Sequence, residues 1–275
     1  MNASKLAVII EEKARHGLLS KIPFLPAAFP GRAEFWAVMA ELEENGADII
    51  EIGVPFSDPV ADGPVVAAAG QKALANGGGL AYILSGLTER RFSCGLALMG
   101  YVNPFIQFRW AEAAAQKPGA TVQEIMALSL ELLARRMAEA GVHGLIVPDL
   151  PLEESGPWRL ILKKHGLALL PLVGHNTSLE KMKLYAAEAE GYVYVVSVMG
   201  VTGVRAGLPP EAAATLGRAR EAFRLPLALG FGLSSPEQLA ELPERLRPEA
   251  AIFGSALIRH LEKGGRVRDF MAPWN

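Results

Sequence analysis

Short, apolar, β-branched runs without polar alternation return at intervals of about 30 residues, each followed by a polar or glycine-rich turn and then a helical stretch. The runs fall at 21–28, 48–54, 95–99, 144–147, 167–173, 191–198, 225–229 and 250–253. Between them, helical periodicity covers 33–45, 65–76, 81–90, 122–140, 153–165, 179–190 and 211–223. A run that is apolar on both faces reads as a parallel strand covered by helices on both sides. Eight such strands predict an α/β chain folded as a (β/α)8 TIM barrel, and the polar or glycine-rich strand ends favour this over an open doubly wound sheet. Ahead of the first strand, Leu6, Ile9, Ile10 and Ala14 interleave with Lys5, Glu11, Glu12 and Lys13. That spacing predicts an extra N-terminal surface helix and not a signal peptide.

Composition fits this architecture and removes several functions. With 275 residues, 51% hydrophobic and 20% charged, the chain can bury one large core, so a single domain over 1–275 is expected. Its 27 basic and 29 acidic residues nearly cancel and form no basic cluster, which argues against nucleic acid or an anionic membrane as partner. The apolar runs are too short to span a bilayer. Cys94 is the single cysteine, which excludes an intrachain disulfide and fits a reducing cytoplasm. His143, His165, His175 and His260 lack metal-ligand spacing, so no metal is expected.

The stretch 47–63 concentrates the chemistry. Glu51 lies inside the strand 48–54, where alternation places Ile49, Glu51 and Gly53 on one face and Ile50 and Ile52 on the other. A carboxylate is thereby aimed at an interior, where an unpaired ionised group costs several kcal/mol. It is either a paired structural glutamate or a catalytic acid or base. The following loop, 55–64, holds three prolines and two aspartates, which makes it a shaped loop of the kind that carries function. Asp62 is either a turn aspartate before Gly63 or a second carboxylate returning toward Glu51, with a different environment and hence a different pKa.

Two later strand ends resemble anion sites. After 225–229 come Gly230, Phe231 and Gly232, then Ser235 as a helix cap, Pro236 as first helical residue and Gln238 as its capping-box partner, an arrangement expected to leave amides free at the mouth. After 250–253 come Gly254 and Ser255, a second glycine turning into a helix. Adjacent helix N-termini after the last two barrel strands commonly hold a phosphate, with ordinary turn chemistry as the alternative. The loop 200–207 has three glycines and enough length to cover the mouth, so it reads as a lid or as a merely mobile connection.

The run Glu51-Ile-Gly-Val-Pro-Phe-Ser-Asp-Pro-Val-Ala-Asp-Gly-Pro64 resembles the tryptophan synthase α-subunit family, and the similarity extends through nearly the whole chain. Tyr101-Val-Asn-Pro104, Gly144-Leu-Ile-Val-Pro-Asp-Leu-Pro151, Tyr194, Gly200-Val-Thr-Gly203, Gly230-Phe-Gly232 and Gly254-Ser255 follow in the family's order. The resemblance implies a (β/α)8 barrel that cleaves indole-3-glycerol phosphate to indole and glyceraldehyde 3-phosphate. It also implies a β-subunit partner in an αββα assembly, with pyridoxal phosphate in the partner and no cofactor in this chain. It implies catalytic roles for Glu51 and Asp62, places Tyr194 beside the indole, and makes Thr202 a lid residue that closes onto Asp62. Phe231 becomes an apolar wall, and Gly203, Gly232, Gly254 and Ser255 hold the phosphate. Asp58, Pro59, Asn103 and Pro104 match the surface that the family turns to its partner.

The chain departs from the family pattern at 26–30, where a Thr-Ala-Gly-Asp-Pro-like run is usual, at Met199, and at 174–177, which lacks a proline. Residues 111–121 form an apparent insertion. Besides the partner-dependent α subunit, a stand-alone indole-3-glycerol phosphate lyase and a weakly catalytic subunit that activates its partner are compatible readings. The intact pair Glu51 and Asp62 argues against the last.

Overall fold

The computed structural model describes residues 4–196, 208–230 and 232–275. Its strands are β1 (Ser20–Pro26), β2 (Ile49–Gly53), β3 (Gly95–Met99), β4 (Gly144–Ile146), β5 (Ala168–Leu169), β6 (Leu172–Val173), β7 (Val193–Val196), β8 (Leu227–Gly230) and β9 (Ala250–Phe253). All pair in parallel, in the order β5-β4-β3-β2-β1-β9-β8-β7-β6. The expected strand 167–173 is present as β5 and β6, parted at Leu170-Pro171 because proline has no N–H for the ladder. The Leu170 N–H still donates to the Leu145 carbonyl at 2.9 Å, and the Pro171 carbonyl accepts from Tyr194 N–H at 2.9 Å. The interrupted strand thus bonds to β4 on one side and β7 on the other, which closes the sheet into a barrel. Counting β5 and β6 as one gives eight barrel strands among the described residues.

Helices alternate with the strands because each strand run is apolar on both faces. The N-terminal helix Lys5–Arg15 buries Leu6, Ala7 and Ile10. Leu6 reaches the base of the barrel, where Gly95 on β3 and Gly144 on β4 leave it room: a Cβ at either glycine would stand 2.9 or 2.7 Å from a Leu6 methyl. The segment expected as an insertion contains a helix, Trp110–Gln116, and Thr121 then starts the long helix Val122–Glu139 with a complete capping box to Glu124. Asn103-Pro104, expected to open a loop, instead lies in the first turn of a helix, Val102–Gln107. Proline is tolerated there because first-turn N–H groups have no partner within the helix.

Two departures from the family pattern have local explanations. In 26–30, Ala28 adopts φ +71°, the left-handed region that glycine favours, and the Asn76 amide holds it by donating to the Ala28 and Pro30 carbonyls at 2.9 and 3.1 Å. In 174–177, Thr177 closes the turn without a proline: its hydroxyl accepts from Gly174 N–H and its own N–H donates to the Gly174 carbonyl, both at 3.0 Å.

Small residues also set the shape of the mouth. Phe24 on β1 pairs with Glu51 across the ladder, and its ring lies over Gly53 and Gly254, where a Cβ would come within 2.7 and 2.8 Å of it. Gly230 on β8 makes the same room for the Tyr194 ring, 2.6 Å from where its Cβ would be. Leu6→Ala is expected to lower the unfolding free energy by about 3 kcal/mol, because the rigid base of the barrel cannot collapse around the lost volume. Urea unfolding of the variant checks this, and a loss below about 1 kcal/mol would show that the helix does not seal the base.

Candidate active site

Glu51 sits at the centre of β2, with Phe24 and Ala97 as its neighbours in register on β1 and β3. It is 0% exposed, and neither carboxylate oxygen has a hydrogen-bond partner among the described residues. Burial, with the nearby negative charge of Asp62, pushes its pKa up to about 8. The side chain is therefore predominantly protonated at neutral pH, an acid held ready in an apolar interior. The reading of Glu51 as one half of a buried ion pair finds no cation partner among the described residues.

Asp62 lies on the loop between β2 and the helix Pro64–Ala75 and returns to the mouth above Glu51. Burial raises its pKa to about 6, and a hydrogen bond from the Tyr101 hydroxyl opposes that rise. At neutral pH Asp62 is mostly ionised while Glu51 is mostly protonated. Two carboxyl groups that interact electrostatically are thus held in opposite states, the arrangement that assigns acid and base roles.

Five residues picked out in the sequence line one open cleft: Asp62, Tyr194, Gly232, Gly254 and Ser255. Phe24, Met99 and Ile252 supply apolar walls, suited to a flat aromatic group. Gly254 caps and Ser255 begins the helix Ser255–Glu262, whose first amides meet the cavity and suit an anion. The expected amides after β8 are arranged differently. The helix there is only Glu237–Ala240, and the Gln238 side chain accepts from the N–H groups of Ser234 and Ser235 at 2.7 and 3.2 Å. Those two amides are consequently taken, and the sequence-based expectation that they are free is corrected. A larger cleft of about 950 Å³ lies beside the loop after β4, but its Arg159 is already bonded to Ser155 and Glu188, and its Asp149 accepts from Val102 N–H. Chemistry and size therefore point to different clefts, and the smaller one is lined by the Asp62 carboxylate.

Thr202, Gly203, Phe231, Met199 and the lid 200–207 lie outside the described residues. Asp58 bonds to the Ser57 hydroxyl at the surface, Pro59 is half-buried, and Asn103 and Pro104 follow Tyr101 in the neighbouring helix. The structure adds residues that sequence reasoning missed. Tyr192 is fully buried with a hydroxyl that finds no partner among the described residues and is raised in pKa by burial and by the charge of Glu51, so it shares the interior with Glu51. Its two-residue spacing from Tyr194, which puts both on one strand face, was the signal available for it. Phe24 and Met99 had no such mark, being ordinary strand residues.

Because folded Glu51 keeps its proton up to about pH 8 and the unfolded group releases it near 4.5, the folded state binds more protons across that window and stability falls as pH rises. Glu51→Gln removes this dependence. Between pH 4.5 and 8, the stability difference is expected to move in favour of the variant by on the order of 4 kcal/mol. Urea unfolding at several pH values tests this, and a constant difference would show that Glu51 does not hold its proton.

A family model described as "Tryptophan synthase alpha chain" matches residues 11–271. The tryptophan synthase alpha chain of Desulfovibrio desulfuricans is 56% identical over 272 residues, covering 97% of this chain and 99% of that one. That of Nitratidesulfovibrio vulgaris is 50% identical over 276 residues, covering 100% and 99%. Among solved structures, Mycobacterium tuberculosis tryptophan synthase superposes with a TM-score of 0.81 at 30% identity, covering 99% of this chain and 96% of that one. The tryptophan synthase subunit alpha of Legionella pneumophila gives 0.80 at 28%, with the same coverage. With the barrel, its strand-end cavity and the two carboxyl groups in place, these likenesses assign the chain to a family: it belongs to the tryptophan synthase alpha chain family.

Proposed function

We propose that this chain is a carbon–carbon lyase that cleaves indole-3-glycerol phosphate to indole and glyceraldehyde 3-phosphate, with Glu51 as the acid and base and Asp62 as the electrostatic partner. Indole can leave as a carbon leaving group only after its C3 is protonated, because the resulting indolenine accepts the electron pair of the breaking bond. Protonated Glu51 donates that proton to C3. Ionised Asp62 accepts the indole N–H and stabilises the positive charge that develops on the ring. Glu51, now a carboxylate, takes the proton from the side-chain hydroxyl next to C3, the C–C bond breaks, and its electrons restore the aromatic ring. One proton enters and one leaves, so Glu51 is regenerated.

Tyr194, Phe24 and Met99 bound the indole end, with Phe231 as a further wall. Gly232, Gly254 and Ser255 hold the phosphate together with Gly203, and Thr202 closes the lid onto Asp62. The chain acts as a single domain over 1–275, in the cytoplasm, and needs no cofactor of its own. Indole passes to a tryptophan synthase β chain, which carries pyridoxal phosphate, in an αββα assembly. Asp58, Pro59, Asn103 and Pro104 form the face toward it, and the 83% exposure of Val60 beside Pro59 supports this, since a bare valine on a proline-shaped loop suits a covered surface.

The observation that carries the reading is the fully buried Glu51 carboxyl, without a hydrogen-bond partner among the described residues, beside a second carboxyl of lower pKa. Glu51→Gln is expected to slow indole release by about a thousandfold while binding of glycerol phosphate, followed by calorimetry, changes less than about twofold. Equal loss of binding and turnover overturns the assignment. Release by the parent chain, assayed alone and with a β chain, then separates the two forms of the enzyme: a sharp rise with the partner marks the α subunit, and fast release unmoved by it marks a stand-alone lyase.

Gly232 has φ +95°, where an L side chain is strained by about 1–2 kcal/mol. Gly232→Ala is expected to raise KM for the phosphorylated substrate by about tenfold with a smaller change in kcat, since the phosphate cradle is displaced and the carboxyl pair is not. A fall in kcat alone would remove Gly232 from the phosphate site.

A further inference from the structure

The ring of helices around the barrel has a seam. The helix Leu152–Lys164 packs on Val122–Glu139, and Leu179–Ala186 packs on Pro210–Ala222, but Leu152–Lys164 and Leu179–Ala186 do not pack closely on each other. Their sequences explain the gap. Leu179–Ala186 has only 8 residues against 13 in its neighbour, and Gly156 and Pro157 fall inside that neighbour, where a Cβ at Gly156 would meet nothing within 4 Å. The larger cleft, beside the loop after β4, occupies this seam. Its floor is the apolar segment 169–172, where the strand is interrupted, and Leu150 and Tyr185 stand at its sides. One ion pair bridges it: Arg159 from the first helix meets Glu188, two residues beyond the end of the second. The partners are held unequally. The Arg159 side chain is 22% exposed and also donates to the Ser155 hydroxyl at 2.5 Å, whereas that of Glu188 is 59% exposed and lies past the helix end. The cation is therefore fixed and the anion can swing, and a pair so open to water is held weakly.

We propose that this cleft binds a free α-amino acid with an apolar side chain, its carboxylate on Arg159, its ammonium on Glu188 and its side chain over the floor at 169–172. Charge complementarity selects this class. A zwitterion inserted between Arg159 and Glu188 gives each a new partner of opposite sign, so the pair opens without leaving either charge alone. A simple carboxylate would take Arg159 and strand Glu188, and a simple amine would do the reverse. The planar guanidinium suits a carboxylate in two-point contact, and Asp149 on the same cleft is a further acceptor near the ammonium. The apolar floor supplies the remaining affinity and rejects polar side chains, as in pockets where a few placed polar groups fix the orientation of an apolar ligand. This cleft and the one lined by Asp62 have no lining residue in common, so the two ligands do not compete.

Calorimetric titration of the full chain with L-leucine tests this, with 4-methylpentanoate and 3-methylbutylamine as analogues that each lack one charge. L-Leucine is expected to bind with a Kd below about 1 mM, and each analogue at least about tenfold more weakly. Saturating glycerol phosphate leaves the leucine isotherm unchanged. Arg159→Gln is expected to make leucine bind no better than the amine, and Glu188→Gln to make it bind no better than the carboxylate. Thermal unfolding of both variants checks that the fold is kept, and the comparison of the three ligands on the parent chain needs no variant. Failure of L-leucine to saturate by about 50 mM overturns the site. Equal binding of either analogue overturns the amino-acid class, and displacement by glycerol phosphate moves the ligand to the other cleft and overturns the assignment.

Discussion

Everything at this site depends on the cost of placing a carboxyl group where water cannot reach it. An ionised carboxylate in an apolar interior is so unfavourable that the group keeps its proton well past neutral pH. Glu51 meets that condition, because its neighbours across the ladder are Phe24 and Ala97 and neither oxygen finds a donor among the described residues. A general acid needs a proton at the pH at which it works, and burial supplies it without a special partner. The same burial makes the folded state less favourable above the acidic range, so part of the stability of the barrel is exchanged for a group ready to react.

Such a group is useful only if a substrate can be brought to it, and here side-chain volume decides. A parallel barrel fills its interior with side chains and is a packed core, not a pore. An opening at one end requires small residues where large ones would otherwise stand. Gly53 and Gly254 receive the Phe24 ring, and Gly230 receives the Tyr194 ring. The rings fold back over glycines and leave the space between Asp62 and the helix beginning at Ser255. At the other end, Gly95 and Gly144 admit Leu6, so the N-terminal helix seals the base. Glycine is thus placed for opposite purposes at the two ends, for access above and closure below.

These features were unevenly visible in the sequence. The strands stood out because both faces of each are apolar, and β3 and β9 fall at the residues where their apolar runs begin and end. Glu51 was legible for the same reason: one charge in an apolar run has few explanations. The break at Leu170-Pro171 was not, since a proline in a run so apolar does not say whether the ladder resumes beyond it. Nor was the fate of the Ser234 and Ser235 amides, because a glutamine three residues past a cap reads equally as a capping partner that leaves the mouth open and as a side chain that takes those donors. Tyr101 was visible as part of a motif, but its hydroxyl chemistry depends on the approach of a loop forty residues earlier in the chain, which no local pattern encodes.

The two carboxyl groups also differ in how they are held, and the difference bears on control. Glu51 is fixed by a strand inside the sheet, so its environment changes only if the barrel does. Asp62 sits on a loop held by its own N–H on the Pro59 carbonyl and by the Ala61 N–H on the Tyr101 hydroxyl. Of the two, only Asp62 lines the cleft at the mouth, so a molecule entering it changes the surroundings of Asp62 before those of Glu51. The proton is held on the rigid strand, and the charge that faces it stands on the loop that follows.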